Sequence, residues 1–206
     1  MKFKIFLLGI LYLSSFSVKA QVDIDSAFRH AESQTNLMLQ EIDKAYDPSK
    51  PDFQVPRTLF PTGELKLFIL KDWTSGFFPG SLWFLYEHTQ DPKWRLEAQK
   101  FTAKLEKEQF DMGTHDVGFK IYNSYGAGYR LTQDTIYRSA VIQAAKSLAT
   151  RFNPKVGCIQ SWKSSGKWPF PVIIDNMMNL ELLFAATRLT GDSTFYHIAD
   201  SHANTT

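Results

Sequence analysis

Three times the chain repeats one short signature, Thr-x-Asp-x-x-aromatic. The copies are Thr89-Gln90-Asp91 with Trp94, Thr132-Gln133-Asp134 with Tyr137, and Thr190-Gly191-Asp192 with Phe195. Each follows an apolar or aromatic run and precedes a pattern of helical period. An Asp just before such a pattern is a helix N-cap, because its carboxylate accepts orphan N–H groups of the first turn. The copies stand 43 and 58 residues apart, close to the repeat of stacked helical hairpins. The signature predicts an array of helix pairs, with functional residues where the helices converge.

The apolar pattern divides these helices into two kinds. Asp23 to Tyr46 keeps Ile24, Phe28, Ala31, Met38, Ile42 and Ala45 on one face and reads as a helix. Residues 47–71, with Pro48, Pro51, Pro56 and Pro61, read as a long connection. Ser81 to Glu87 is apolar nearly all round, whereas Lys93 to Phe110 is amphipathic through Trp94, Ala98, Phe101 and Leu105. Thr135 to Phe152 aligns Tyr137, Val141, Ala144 and Leu148, and a Pro, Gly and Trp-rich loop follows at 153–172. Met177 to Leu189 is again apolar nearly all round, and Thr194 to Ala203 is shorter and more polar. Strand signals are confined to short runs such as Phe119 to Tyr122. A helix apolar on every side is buried on every side, and an amphipathic one has a wet face. The alternation of buried 80–88, wet 92–110, buried 175–189 and wet 193–203 matches inner and outer helices of a toroid, with an ordinary bundle as the alternative. The expected fold class is all-α, with about seven helices.

Composition narrows the function. Lys2 and Lys4 precede an apolar core from Ile5 to Leu13, and Val18-Lys19-Ala20 offers a cleavage site. Residues 1–20 read as a secretory signal, with an uncleaved anchor as the alternative. The expected location is the periplasm, with no membrane span in the mature chain. Cleavage removes three lysines and no acid, leaving 20 basic and 21 acidic side chains. No basic stripe remains for nucleic acid. Cys158 is the only cysteine, so an intrachain disulfide is excluded and a small buried hydrophobe is expected. Residues 21–206 suffice for one domain with a core. The sequence does not set the oligomeric state.

Three loops carry candidate chemistry, each at the start of an expected inner helix. In Asp72 to Gly80, Trp73 and Phe77 sit beside Gly76 and form either a platform for a sugar ring or part of the core. In Thr114 to Phe119, Asp116 lies beside His115 and Thr114 and next to Gly118. It is an acid, a base or a ligand holder, or else a cap or loop hydrogen-bond acceptor. In Ile173 to Met178, Asp175 separates two apolar segments. It is an N-cap or a proton donor, since desolvation favours the neutral acid. Gly126-Ala127-Gly128 lacks the third glycine of a dinucleotide site, and Gly166-Lys167-Trp168 lacks the hydroxyl of a P-loop. Without a Cys pair or a His-Glu-x-x-His run, no metal site is expected. His30, His88, His197 and His202 have no ligand spacing and read as structural.

At these loops the chain resembles the family 88 glycoside hydrolases, the unsaturated glucuronyl hydrolases. The resemblance is carried by DWTSGFFPGSLW at 72–83, THDVGF at 114–119, IIDNMMNLELL at 173–183 and the closing His202-Ala203-Asn204-Thr205-Thr206. It implies an (α/α)6 barrel, a toroid of six hairpins, of which residues 21–206 resemble the N-terminal half. It implies removal of a 4,5-unsaturated uronic acid from the non-reducing end of oligosaccharides left by polysaccharide lyases. A carboxylic acid protonates C4 of the vinyl ether, water adds at C5, and the hemiketal rearranges to expel the remaining sugar. Neither a metal nor an organic cofactor is implied. Carried over by position, Asp175 is the general acid and base and Asp116 the second essential carboxylate. His115 shares their subsite, and Trp73 and Phe77 stack on or wall the unsaturated ring. The alternatives are a related hydrolase of unsaturated rhamnogalacturonan products, against which His115-Asp116 argues, and a non-catalytic sugar-binding half-domain.

Overall fold

The computed structural model describes residues 23–206, and the expected signal at 1–20 lies outside the described residues. The chain opens with α1 (Ile24–Ala45), capped by Asp23, whose carboxylate accepts the Ser26 N–H at 2.9 Å. Six further helices follow: α2 (Phe77–Thr89), α3 (Pro92–Ala103), α4 (117–132), α5 (Thr135–Ala149), α6 (Asn176–Thr190) and α7 (Ser193–Thr205). The middle of α4, Tyr122–Gly126, is π-helical.

The repeated signature is the turn of each hairpin, α2–α3, α4–α5 and α6–α7. Its Thr closes the first helix by donating Oγ1 to the carbonyl four residues back, at 2.7 Å from Leu85, Gly128 and Ala186 in turn. The next residue is left-handed, with φ 57° at Gln90, 58° at Gln133 and 77° at Gly191. Its N–H returns to the carbonyl of Tyr86, Tyr129 or Thr187, a left-handed C-cap. The Asp then caps the second helix: Asp91 accepts the Lys93 N–H, Asp134 that of Ile136 and Asp192 that of Thr194, at 2.8–2.9 Å. The aromatic three positions on turns inward; Trp94 and Phe195 are buried and Tyr137 is half-buried.

The hairpins stand side by side in chain order. Inner helix α4 packs against inner helices α2 and α6, and α5 lies outside against both α4 and α6. One core cluster fills the space between α4 and α7 with Val117, Ile121, Val141, Leu148 and Leu182. A second gathers Leu82, Trp83, Trp94 and Phe101 beneath α1. Tyr137 packs against both. The buried Trp83 Nε1–H bonds Thr102 Oγ1 at 3.0 Å and pins α2 to α3. Trp94 Nε1–H bonds Glu32 at 2.7 Å and pins α3 to α1. Cys158 is buried, as expected.

Four local expectations are corrected. The connection at 47–71 holds an antiparallel hairpin, β1 (Phe53–Leu59) with β2 (Leu65–Ile69), in which Val55, Leu65 and Leu67 are buried. Pro56 sits inside β1 and masks it, since proline is tolerated in a strand only where a ladder bond is dispensable. The strand signal at Phe119 to Tyr122 is instead the buried start of α4, where β-branched and aromatic residues satisfy packing rather than a ladder. The amphipathic run from Lys93 stops at Ala103 and resumes as a 3-10 turn, Glu106–Phe110. The inner helices are not buried all round: Phe84 is 55% and Met178 63% exposed. Two short strands, β3 (Phe152–Asn153) and β4 (Cys158–Ile159), lie at the start of the loop read at 153–172. Among the described residues, no helix is long and apolar enough to cross a membrane.

If the hairpin turns hold the array, Asp134→Ala should cost about 1 kcal/mol in urea denaturation, and Asp134→Asn only a few tenths. Equal effects would remove the capping role.

Candidate active site

The N-terminal ends of α2, α4 and α6 converge, and two glycines set how closely. A Cβ on Gly76, just before α2, would lie 2.1 Å from the Phe119 carbonyl oxygen and 2.4 Å from that of Lys120. A Cβ on Gly118 would lie 2.5 Å from Asn179 Oδ1 and 2.9 Å from its Cα, on α6. Backbone therefore meets backbone at both crossings. Buried Asn179 spans the second by accepting the Phe119 N–H at 2.8 Å. The loop before α2 is held from the hairpin. Asp72 accepts the Thr74 N–H at 3.0 Å and hydroxyl at 2.6 Å, and pairs with Arg57 of β1 at 2.9 Å.

This convergence joins Asp116, at the start of α4, to Asp175, at the start of α6. Buried His115 lies between them, its Nε2 3.1 Å from Asp116 Oδ1 and 3.6 Å from Asp175 Oδ1. Seven aspartates precede helical turns. Asp23, Asp72, Asp91, Asp134 and Asp192 cap them, while Asp116 and Asp175 make no side-chain cap bond. Asp116 instead accepts the Thr114 hydroxyl at 2.5 Å. The Asp175 side chain is 44% exposed, yet its Oδ1 is buried and without a hydrogen-bond partner among the described residues. The structure thus separates both groups from the capping alternative.

Burial pushes the Asp116 pKa up, but the hydrogen bonds from His115 and Thr114, with the charges of His115 and Lys120, outweigh it and hold the carboxyl below its ordinary value. Lys120, wholly buried in α4, is anchored by Glu108 at 2.6 Å and Asp111 at 2.7 Å. Arg151 clamps the other side of the same loop, donating to the Met112 carbonyl at 2.5 Å and the Gln160 carbonyl at 2.7 Å.

Trp73 and Phe77, at the start of α2, form a half-open wall against the start of α4, 45% and 39% exposed. Their rings lie 5.9 Å apart, edge to face, and each is within 6 Å of buried Phe119. All five residues singled out from the sequence therefore lie at the converging helix starts, Trp73 and Phe77 on one side and His115, Asp116 and Asp175 on the other. Lys120 was missed, since nothing in its sequence position signals burial. Trp162 was missed as well; its ring lies edge-on to His115 at 6.3 Å and is half-exposed. It belongs to the Trp-rich loop, whose path the sequence does not reveal.

Among the described residues, His115, Asp116 and Asp175 form the one group of His, Cys, Asp or Glu side chains close enough to share an ion, with ligand atoms within 4.8 Å. The same spacing suits passing a proton, and an imidazole between one hydrogen-bonded and one unpartnered carboxylate differentiates the two acids chemically.

No protein-family model matches the chain. Among curated proteins, it is 50% identical over 138 residues to the unsaturated glucuronyl hydrolase of Formosa agariphila, covering 66% of this chain and 34% of that protein. It is 34% identical to the unsaturated chondroitin disaccharide hydrolase of Streptococcus pneumoniae, covering 80% and 42%. Among solved structures, an unsaturated glucuronyl hydrolase specific for heparin superposes with a TM-score of 0.77 at 40% identity, covering 88% of this chain and 47% of that one. The chain spans less than half the length of each.

Two outcomes follow from the geometry. Gly118→Ala should destabilise the fold by about 1–3 kcal/mol, as overpacking does, seen as a lower urea midpoint; an unchanged midpoint would mean that the crossing yields freely. The Asp116 carboxyl carbon should titrate below the ordinary value of 3.8. Its contribution to stability is then complete above that pH and lost as pH falls through the folded value. A midpoint above 3.8 would contradict the hydrogen-bond assignment.

Proposed function

The chain belongs to the unsaturated glucuronyl hydrolases, and we propose that it carries the acid–base pair and the ring-binding wall of a site that removes a 4,5-unsaturated uronic acid from oligosaccharides. The observation that supports this most is the release of Asp116 and Asp175 from capping and their meeting across His115. Three hairpins of inner and outer helices agree with half of an (α/α)6 toroid, and residues 21–206 are taken as part of such a domain.

In the proposed reaction, the protonated Asp175 carboxyl gives its proton to C4 as the C4=C5 bond is lost. Positive charge develops at C5 and on the ring oxygen. Asp116, held ionised, faces that charge and favours it. Water adds its hydroxyl to C5 and returns its other proton to Asp175, so one water is consumed and the acid is regenerated. The C5 hemiketal opens to a ketone, and the hemiacetal left at C1 expels the remaining sugar. His115 donates from Nε2 to Asp116 and keeps it oriented. Trp73 and Phe77 present apolar faces to the ring. No step requires a metal or cofactor.

The signal at residues 1–20 is proposed to export the chain, with the periplasm as the place of action. The alternative reading is sugar binding without turnover. Calorimetry with an unsaturated disaccharide distinguishes the two, since binding without loss of the alkene supports the second.

Asp116→Asn and Asp175→Asn should each slow loss of the ultraviolet absorbance of the conjugated double bond by about 100-fold or more, with unfolding midpoints near that of the wild type. Near-normal turnover in either variant would remove that residue from the chemistry. Phe77→Ala should instead raise KM several-fold, up to about tenfold, in line with the loss of one aromatic contact.

A further inference from the structure

Behind the carboxylates lies a second polar cluster that the reaction above does not use. His202, on outer helix α7, and Asn176, at the start of α6, are both wholly buried. Both dock on Ile159 of β4. The Ile159 N–H donates to His202 Nδ1 at 3.0 Å, and Asn176 Nδ2 donates to the Ile159 carbonyl at 3.4 Å. Two residues on, the Ser161 carbonyl accepts the backbone N–H of His115 at 3.0 Å. One short segment therefore anchors the side chains of His202 and Asn176 and the backbone of His115.

The protonation pattern follows from these bonds. His202 Nδ1 accepts, so the neutral ring carries its proton on Nε2. Burial, and then the nearby His115, lower the His202 pKa and favour that neutral ring. His115 Nε2 faces the ionised Asp116, so it donates; in the neutral form of the ring, the form the relay requires, Nδ1 is left as an acceptor. Besides Asp175 Oδ1, three buried atoms of this cluster have no partner among the described residues: His202 Nε2, a donor, and His115 Nδ1 and Asn176 Oδ1, both acceptors. Leaving such groups unpaired costs about 1–3 kcal/mol each, and buried polar groups in folded proteins are paired. One water accepts from one donor and donates to two acceptors, which matches this set in number and kind.

We propose that His202 is a positioning residue for His115: its Nε2–H, His115 Nδ1 and Asn176 Oδ1 form one buried hydrogen-bonded relay, closed by a water, that fixes His115 as the tautomer donating from Nε2 to Asp116. An outer helix thereby sets the state of a residue at the inner helix ends. The use of that tautomer rests on the proposed reaction, but the relay itself is read without turnover, so an inactive chain would leave it standing.

Long-range 1H–15N correlation of the histidine rings in the full chain is the test. In the wild type, His115 and His202 should each carry the proton on Nε2 alone. His115 protonated on Nδ1 would overturn the relay outright. His202→Asn keeps an acceptor for the Ile159 N–H and deletes the relay donor. It should fold with a near-native Tm, while His115 changes from one tautomer to a mixture. An unchanged single tautomer in that folded variant would also overturn the proposal. His202→Gln does the reverse, keeping an amide donor near the Nε2 position and losing the acceptor. It should lower Tm yet preserve the His115 tautomer. Should the Asn variant not fold, the Gln variant decides: retention supports the relay, and loss overturns it.

Discussion

The site depends on two close crossings of backbone, Gly76 over the start of α4 and Gly118 against Asn179 of α6. Without them the inner helices would stand farther apart at their N-terminal ends, where their orphan N–H groups gather. Asn179 occupies the space that Gly118 leaves and satisfies one of those orphans, the Phe119 N–H. Asp116 and Asp175 therefore approach one another as a result of packing rather than of mutual attraction. His115 fills the interval and offers one of them a hydrogen bond.

A contrast among aspartates separates scaffold from site. At the hairpin turns, the Asp carboxylates are committed to backbone N–H groups and hold the array together. At the converging ends, packing takes over that task, and the carboxylates are released. Lys120, with Glu108 and Asp111, places an anchored charge beside the loop that carries Asp116. A buried pair of this kind is a costly way to gain stability. Its effect on Asp116, whose carboxyl it helps keep ionised, gives it a role in the site.

Much of this was legible in the sequence because it is local. Thr-x-Asp specifies a Thr closure, a left-handed residue and a cap within a few positions, so the turns follow from composition and spacing. The five candidate residues could be singled out because glycine, aromatic and carboxylate cluster at three helix starts. What was hidden depends on contacts distant in the chain. Pro56 disguised a strand whose partner lies beyond a turn. Phe119 to Tyr122 has strand-like composition but is buried as helix between α2, α5 and α6. Lys120 is an ordinary lysine until Glu108 and Asp111 fold over it, and Trp162 reaches His115 only through the path of its loop. The release of Asp116 and Asp175 from capping is also tertiary, since their sequence settings equally suit a cap.

The proposed function has this carboxylate pair act on the double bond of an unsaturated uronic acid and not on the glycosidic bond directly. The most direct measurement compares the protein on an unsaturated disaccharide and on its saturated counterpart, following ultraviolet absorbance and released sugar together. Loss of absorbance in step with sugar release from the unsaturated substrate, with the saturated one untouched, is the predicted result. Release of sugar from the saturated disaccharide at a comparable rate would contradict it.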